Sequence, residues 1–204
     1  MGLVHGKGRK KSHGRMSGNL KQMDDPNKYH DIIKNILIDE LAVPYPVTQL
    51  ILDYAQIWKS QTAESKEELE YGGDNLNLKY LIIEYPSDLK ILKCVDVTVE
   101  SHDQGWASGP GSWTWGEIAI FRDTVNADLE HTETELSNRV DVYRNKRACN
   151  DFQRHEKRIY APLSTQTNVL SHFKEDTHIG LWLRSRFPGW ANYTRYAKIR
   201  VWYT

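Results

Sequence analysis

Two kinds of hydrophobic spacing divide the chain into a short helical part and a longer part made of strands. Apolar residues recur every three or four positions in two runs, 32–41 and 47–58, which Pro44 and Pro46 separate. This spacing places apolar side chains on one face of an α-helix, and proline is tolerated in a first helical turn. The pattern therefore predicts a hairpin of two short helices over residues 26–60.

From residue 78 to residue 204 apolar and polar residues alternate instead. The runs 95–99, 179–183 and 199–203 show this alternation most clearly. A period of two is typical of a strand with one buried face. Other candidate strands are shorter or less regular, and they are 80–85, 113–121, 139–143 and 157–163. Seven such runs without helical spacing between them predict a mainly β fold, an antiparallel β-sandwich of jelly-roll type over 78–204.

Two further segments lack the pattern of a core-forming element. Residues 1–22 contain six Lys or Arg and no acidic residue, so we expect residues 1–25 to form a disordered basic arm. Such an arm serves in nuclear import or nucleic-acid contact, or it is a solubilising tail. Residues 61–77 are polar and are broken by Gly72 and Gly73, which predicts a linker between the helices and the sandwich.

Composition narrows the classes of partner and compartment. The chain has 204 residues, of which 39% are hydrophobic, and this is enough for a buried core. The 27 Lys and Arg balance 27 Asp and Glu, so apart from the basic arm no field would steer the protein toward nucleic acid or an anionic membrane. No membrane span or secretory signal is recognisable, and Cys94 and Cys149 lie far apart in sequence. We expect a cytoplasmic or nuclear protein in a reducing compartment.

Two predicted loops, 101–113 and 184–195, concentrate tryptophan, glycine and polar side chains. If the loops share one end of the sandwich, planar apolar faces come close to amide, carboxylate and guanidinium groups. A sugar or a peptide segment needs this combination of stacking area and directional hydrogen bonds. The candidate ligand-binding residues are Asp103, Gln104, Trp106, Trp113, Arg184, Arg186, Phe187, Trp190, Asn192 and Tyr193.

The alternative interpretation of the same loops is structural. In that case the tryptophans pack in the core or at corners of the fold, and the glycines supply turn geometry. Asp103 and Gln104 would then cap the loop backbone.

The loop motifs resemble a known family. SHDQGWAS, the SWTW that follows it and the later FPGWANYTRYAKIRVWY are similar to an uncharacterised β-sandwich module common in fungal proteins. In that module DQGW and a W-T-W strand precede a terminal P-G-W segment. The resemblance covers residues 92–204 and implies the sandwich fold without an established activity.

The preceding segment, LAVPYPVTQLILDYAQIW, resembles the helices of F-box-like segments, with Val43-Pro44 where an F-box usually opens with Leu-Pro. This resemblance covers residues 40–58 and implies docking onto an adaptor, as in a ubiquitin ligase. The candidate partner-docking residues are Leu50, Ile51, Tyr54 and Trp58. The alternative is an amphipathic hairpin that simply packs on the sandwich.

No motif of a known catalytic centre is present, so we expect no enzymatic activity. The chain lacks a serine-centred elbow, HExxH, a P-loop and a dinucleotide-binding glycine pattern. Asp103 and Glu117 are the one acidic pair near the aromatic loops, and the histidines lack metal-ligand spacing, so neither cofactor nor metal is expected. The sequence favours a non-enzymatic recognition module for a protein partner or a polar ligand such as a glycan. An adaptor subunit of a multiprotein complex is the alternative.

Overall fold

The predicted fold class is confirmed: the protein is mainly β, with two antiparallel sheets packed face to face behind a short helical segment. The structure is a computed structural model that describes residues 25–107, 109–125, 131–162 and 168–204. The predicted basic arm lies outside the described residues, except for Asp25.

The helical segment consists of α1 (Pro26–Asn35), a π-helical turn (Ile36–Glu40) that continues it, and α2 (Tyr45–Tyr54). Asp25 caps α1, since its carboxylate accepts hydrogen bonds from the first backbone N–H groups of the helix. A side chain near the start of α1 also ties the helix to the sandwich. Asn27 exchanges two hydrogen bonds, of 2.6 and 2.9 Å, with the backbone of Ser60.

The strands follow in the order β1 (Lys59–Ser65), β2 (Leu69–Gly72), β3 (Leu76–Glu84), β4 (Leu92–His102), β5 (Thr114–Val125), β6 (His131–Glu135), β7 (Val140–Arg144), β8 (Gln153–Tyr160), β9 (His178–Ser185) and β10 (Ala191–Tyr203). A 3-10 turn over Val169–His172 precedes β9.

Within the described ranges each sheet contains five strands. Sheet 1 has the order β1-β10-β4-β8, and β2 pairs with β10 beyond the end of β1. Sheet 2 has the order β3-β9-β5-β6, and β7 also pairs with β5. The last strand, β10, is therefore the centre of sheet 1, with β4 along one side and β1 and β2 along the other.

The predicted linker at 61–77 is wrong, because these residues form most of β1, all of β2 and the start of β3. Strand β1 shows little alternation because its inward-facing residue at the centre is the small Ala63, which lies opposite Ile199 of β10. The sandwich begins at Lys59 rather than at residue 78, and the helical part ends correspondingly earlier than residue 60.

The main core fills the space between the sheets. The valines of 95–99 point inward and are at most 2% exposed, so this predicted strand and its buried face are confirmed. Sheet 2 supplies fully buried residues from β5 and β9, namely Ile118, Ile120, Ile179, Leu181 and Leu183. Apolar residues of the 3-10 turn and the residue after it close one side of this core.

A second apolar layer lies on the outer face of sheet 2. Phe121 and Trp182 pack edge to face there, with their ring centres 5.5 Å apart, and both are buried. The Lys79 ammonium lies 4.5 Å above the ring of Phe121, and the Arg139 guanidinium lies 4.5 Å above Trp182. Long cationic side chains thus shield aromatic rings on a face that the alternation marks as polar.

Close packing of Tyr143 of β7 over its cross-strand partner on β5 depends on a glycine at position 116. A Cβ built on Gly116 would lie 2.1 Å from Cε1 of Tyr143 and less than 3.0 Å from two more atoms of that ring. Tyr143 is itself buried in the main core, so the ring has little room to move.

We predict that Gly116→Ala lowers the free energy of unfolding by about 2–3 kcal/mol, because the added methyl overpacks this contact. Urea denaturation monitored by tryptophan fluorescence would measure the loss. Gly109→Ala is the matched control, since a Cβ there meets nothing within 4 Å. Equal stabilities for the two variants would show that the Tyr143 ring can move away from an added methyl at position 116.

Candidate functional site

The two aromatic loops meet at one end of the sandwich. The loop between β4 and β5 and the shorter loop between β9 and β10 are joined by a 3.1 Å hydrogen bond from the Arg186 N–H to the Trp113 carbonyl. The Trp106 ring lies against Gly189, where an added Cβ would be 3.3 Å from the indole. The turn between β2 and β3 lies at the same end of the sandwich, because the Asn75 N–H donates to the Arg186 carbonyl at 3.0 Å.

The ten candidate residues separate into buried residues that hold the loops together and residues that face solvent. Asp103 belongs to the first group. Its carboxylate is completely buried and accepts hydrogen bonds from the backbone N–H groups of Gly105, Ala148 and Cys149 at 2.7–2.9 Å. Asp103 therefore does not reach a ligand, and its role is to fasten its own loop to the loop between β7 and β8.

Asn192 is also buried, and it lies on β10 rather than in a loop. Its amide nitrogen donates to the Trp115 carbonyl at 3.0 Å and lies 3.4 Å from the Arg184 carbonyl. Its amide oxygen accepts from Asn145 and Thr194, each at 3.2 Å. One side chain thus joins sheet 1 to two strands of sheet 2, and it is not available for ligand binding.

Asn145 extends this network and is a structural residue that sequence reasoning missed. Its oxygen accepts from the Ser101 hydroxyl at 2.6 Å, and its nitrogen donates to Thr114 Oγ1 at 3.0 Å. Tyr143 borders the network, and burial raises the pKa of its hydroxyl. Nothing in the spacing around Asn145 distinguishes a buried amide from an ordinary turn residue.

Three further candidates are occupied by packing or internal bonds. Trp190 is 7% exposed, so it belongs to the fold rather than to the surface. The Gln104 amide donates to the Trp106 carbonyl at 2.6 Å and accepts from the Ala191 N–H at 3.3 Å. Arg184 forms an ion pair of 3.3 Å on the outer face of sheet 2 and lies over a tryptophan ring.

Tyr193 lies on the outer face of sheet 1 beside the loops. Its ring stacks on His102, with the ring centres 4.6 Å apart and the planes 6° from parallel. Its hydroxyl donates to Glu70 at 2.7 Å, and this bond together with partial burial raises the pKa of Tyr193. The residue is half-buried, so one edge of the ring remains accessible.

The remaining candidates form what we call the aromatic patch: Trp106, Trp113, Arg186 and Phe187. Trp106 is 56% exposed and Phe187 is 40% exposed. Trp113 and Phe187 meet edge to face at 5.0 Å, and the Arg186 guanidinium lies 5.6 Å from the centre of each ring. The patch offers flat apolar faces together with one guanidinium.

A shallow cavity of about 500 Å³ lies beside the aromatic patch. Gly72, Gly73 and Gly189 form much of its lining, so backbone rather than side chain faces the space. Glu70 provides a carboxylate at its rim, and Gly189 connects the cavity to the Trp106 ring. A ligand could stack on the indole and place hydroxyl groups near the carboxylate and the backbone.

The candidate docking residues of α2 lie at the other end of β4. Leu50 is 68% exposed, Ile51 39% and Tyr54 95%, so the apolar stripe faces away from the sandwich. The helix is held instead by Leu52, which is completely buried, and by Asp53. The hairpin thus packs on the sandwich, as the alternative expected, but through Leu52 rather than through these three residues.

Asp53 links α2 to the sandwich through two contacts. Its carboxylate lies 2.8 Å from the Lys93 ammonium, next to the start of β4. It also accepts a hydrogen bond of 3.2 Å from the Trp58 indole N–H. Trp58 is half-buried and supports this attachment, unlike the three exposed residues of the stripe.

The acidic pair considered for catalysis is engaged in structural contacts. Glu117 accepts a 2.7 Å hydrogen bond from the Trp115 indole and pairs with Arg184, while Asp103 binds loop backbone. In the described ranges no group of three His, Cys, Asp or Glu residues is placed to hold a metal ion. No helix within the same ranges has the length and apolar character to cross a membrane.

No family model matches the chain, and no curated protein matches it. Among solved structures, those of the Gx and Gt strains of infectious bursal disease virus match with a TM-score of 0.39 each. Their sequence identities are 8% and 10%, over 70% and 71% of this chain and 32% and 33% of theirs. The VP2 subviral particle of the same virus matches with a TM-score of 0.35 and 7% identity, over 72% of this chain and 32% of that one. The chain thus spans about a third of the length of these viral chains.

We predict that Asn192→Ala destabilises the fold by about 3 kcal/mol, because it leaves buried amide, hydroxyl and carbonyl groups without partners. Trp106→Ala is the comparison, and we expect it to cost less than about 1 kcal/mol, since more than half of that side chain faces solvent. Thermal and urea unfolding of both variants would measure the difference. A larger loss for Trp106→Ala would place that ring among the structural residues.

Proposed function

We propose that the protein is a non-enzymatic recognition module that binds a ligand through the aromatic patch. The ligand is polar but has a flat apolar face that can stack on an aromatic ring, as a glycan does. The observation that carries this proposal is the exposure of Trp106 and Phe187 on a loop end that buried hydrogen bonds of Asp103 and Asn192 hold in place. Large aromatic side chains left in solvent beside polar groups are typical of binding surfaces. A site of action in the cytoplasm or nucleus belongs to the same proposal, supported by the free thiols of Cys94 and Cys149.

The buried network supports the proposal because it fixes the loops before a ligand arrives. Asp103 and Asn192 bond to the backbone of neighbouring elements, so the loops that carry the patch lose little conformational freedom on binding. Preorganisation of this kind lowers the entropic cost of association.

The shallow cavity supports a sugar rather than an apolar ligand. Indole faces stack on the C–H face of a sugar ring, and the hydroxyl groups around that ring need hydrogen-bond partners within reach. Glu70 supplies a carboxylate acceptor among the residues that line this cavity.

We predict that Trp106→Ala and Phe187→Ala each weaken glycan binding by at least about tenfold, since each removes a stacking face. The full chain would be screened on an immobilised glycan array, and the best glycan would then be titrated by calorimetry. Tyr160→Ala is the matched control, because Tyr160 is 61% exposed at the opposite end of sheet 1. The proposal would be overturned if the full chain bound no glycan on the array, or if Trp106→Ala bound the best glycan with unchanged affinity.

A second candidate function is docking onto a protein partner through α2, and the exposure of Leu50 and Tyr54 favours it. The face is apolar and carries no free charge, since Asp53 is paired with Lys93. The partner that fits is a protein with an uncharged apolar groove that accepts a helix, as in many helix-in-groove complexes. The resemblance of this segment to F-box-like helices supports an adaptor of a ubiquitin ligase as that partner.

We predict that the double substitution Leu50→Asp and Tyr54→Asp abolishes the binding of this partner, because two charges would enter an apolar interface. Proteins that co-purify with the full chain from its own cells would be identified, and the leading one would be purified and titrated against each variant.

Trp106→Ala is the control and should leave this affinity unchanged, because it lies at the other end of the sandwich. Concentration-dependent self-association lost in the double variant would instead identify a second copy as the occupant. Binding to phosphatidylcholine vesicles would identify a membrane surface. Either result would contradict the adaptor function.

A further inference from the structure

The outer face of sheet 1 contains a polar cavity of about 440 Å³ that neither proposed function uses. Thr98 of β4 lies at its floor, directly opposite Lys198 of β10 on one side and Glu156 of β8 on the other. Because the Thr98 side chain is short and the side chains around it are long, the longer side chains form the walls of the cavity. The walls are formed by Asp96, Arg154, Glu156, Arg158, Lys198 and Arg200.

The two acidic side chains of the walls are already paired. Arg158 donates two hydrogen bonds to Asp96, at 2.6 and 2.7 Å, and the Trp202 indole donates a third at 2.7 Å. Partial burial acts to raise the pKa of Asp96, but these hydrogen bonds outweigh it and hold the pKa below its ordinary value. Glu156 accepts from Arg154 at 2.8 Å. The cavity therefore keeps an excess of positive charge.

Lys198 and Arg200 supply that excess. In the part of the chain that the structure describes, neither has a carboxylate within the 4.0 Å of an ion pair. Glu64, which lies opposite Lys198 on β1, forms its ion pair with Lys66 at 2.9 Å, so Glu64 and Asp96 act on Lys198 and Arg200 only as neighbouring charges without a direct ion pair. Adjacent unpaired cations on one strand face are a place where an anion would gain two charge-assisted contacts.

Arg200 is held in position before any ligand arrives. Its guanidinium lies 5.2 Å from the ring centre of Trp202, and its Nε donates to Thr62 Oγ1 at 3.2 Å. The two terminal nitrogens remain for a ligand. The Thr98 hydroxyl makes no hydrogen bond to the described residues although the residue is only 6% exposed, so it can donate to a group that enters the cavity.

We propose that this cavity binds a tetrahedral oxyanion, the phosphate or sulfate group of a ligand. Lys198 gives a point charge, Arg200 gives a planar pair of N–H donors and Thr98 gives a hydroxyl donor from the floor. Guanidinium and ammonium groups around a hydroxyl match the geometry and charge of such an anion. The site lies on the open face of the sheet and is independent of the aromatic patch.

The test is a titration of the full chain, followed by amide chemical shifts, with sodium phosphate, sodium sulfate and sodium chloride at matched ionic strength. We expect saturable shifts around Thr98 and Lys198 with phosphate or sulfate and none with chloride. The two oxyanion arms show which group binds more tightly.

Lys198→Gln and Arg200→Gln should each weaken binding by about tenfold or more, since each removes a charge-assisted bond. Arg200→Lys keeps the positive charge but loses the planar pair of N–H donors. Its affinity for the oxyanion should therefore lie between that of the unchanged protein and that of Arg200→Gln. Arg195→Gln is the matched control, because Arg195 lies on the same face but pairs with Glu100 at 2.9 Å outside the cavity.

The proposed oxyanion site would be overturned if the amide shifts changed linearly with phosphate or sulfate concentration and by the same amount as with chloride. It would also be overturned if Lys198→Gln bound the oxyanion with unchanged affinity. Glycan binding of the same variants distinguishes this outcome from failure of the proposed function, because the aromatic patch is intact in them. Thermal unfolding of each variant would confirm that the fold is retained, and Arg200→Lys provides the test if Arg200→Gln does not fold.

Discussion

The buried amide of Asn192 is the interaction on which the end of the sandwich with the aromatic loops depends. It extends from the start of β10, the central strand of sheet 1, to backbone carbonyls of β5 and β9 in sheet 2. A buried amide without partners costs several kcal/mol, so each shift of one sheet against the other at this point is penalised. This contact therefore helps to fix how the two sheets lie against each other at the end that carries the aromatic loops.

The same constraint determines which loop residues remain free to bind. Loops that carry tryptophan and glycine could fold in several ways, but the bonds of Asp103 and Asn145 leave one arrangement. In that arrangement Trp190 fills space beneath the loops, whereas Trp106 rests on Gly189 and faces solvent. The proposed binding surface thus consists of the loop residues that are not held in the internal hydrogen-bond network.

The alternation of apolar residues was sufficient to predict the central strands and their buried faces, as the valines of 95–99 show. It was not sufficient for β1 and β2, whose short and polar sequences pair with β10 through backbone bonds that any residue can make. The sequence offered loop capping and ligand binding as alternative roles for Asp103 but could not choose between them, and it gave no sign of the buried role of Asn192. A polar side chain in a glycine-rich segment looks the same whether its partner is loop backbone or a ligand. Helical spacing likewise predicted the stripe of α2 but could not say that Leu52, rather than Leu50, faces the sandwich.

The positions of the three surfaces would allow the proposed ligand recognition and the proposed docking through α2 to take place together. Strand β4 runs from Leu92, beside the Lys93 that holds α2, to His102 at the aromatic loops. At about 3.3 Å per residue its two ends lie about 33 Å apart, which is too far for one bound group to contact both. A partner whose contacts are confined to the α2 end would therefore leave the aromatic patch open. The oxyanion cavity lies between them on the same strand at Thr98, so an anionic ligand could extend from the loops along this face without reaching the helix.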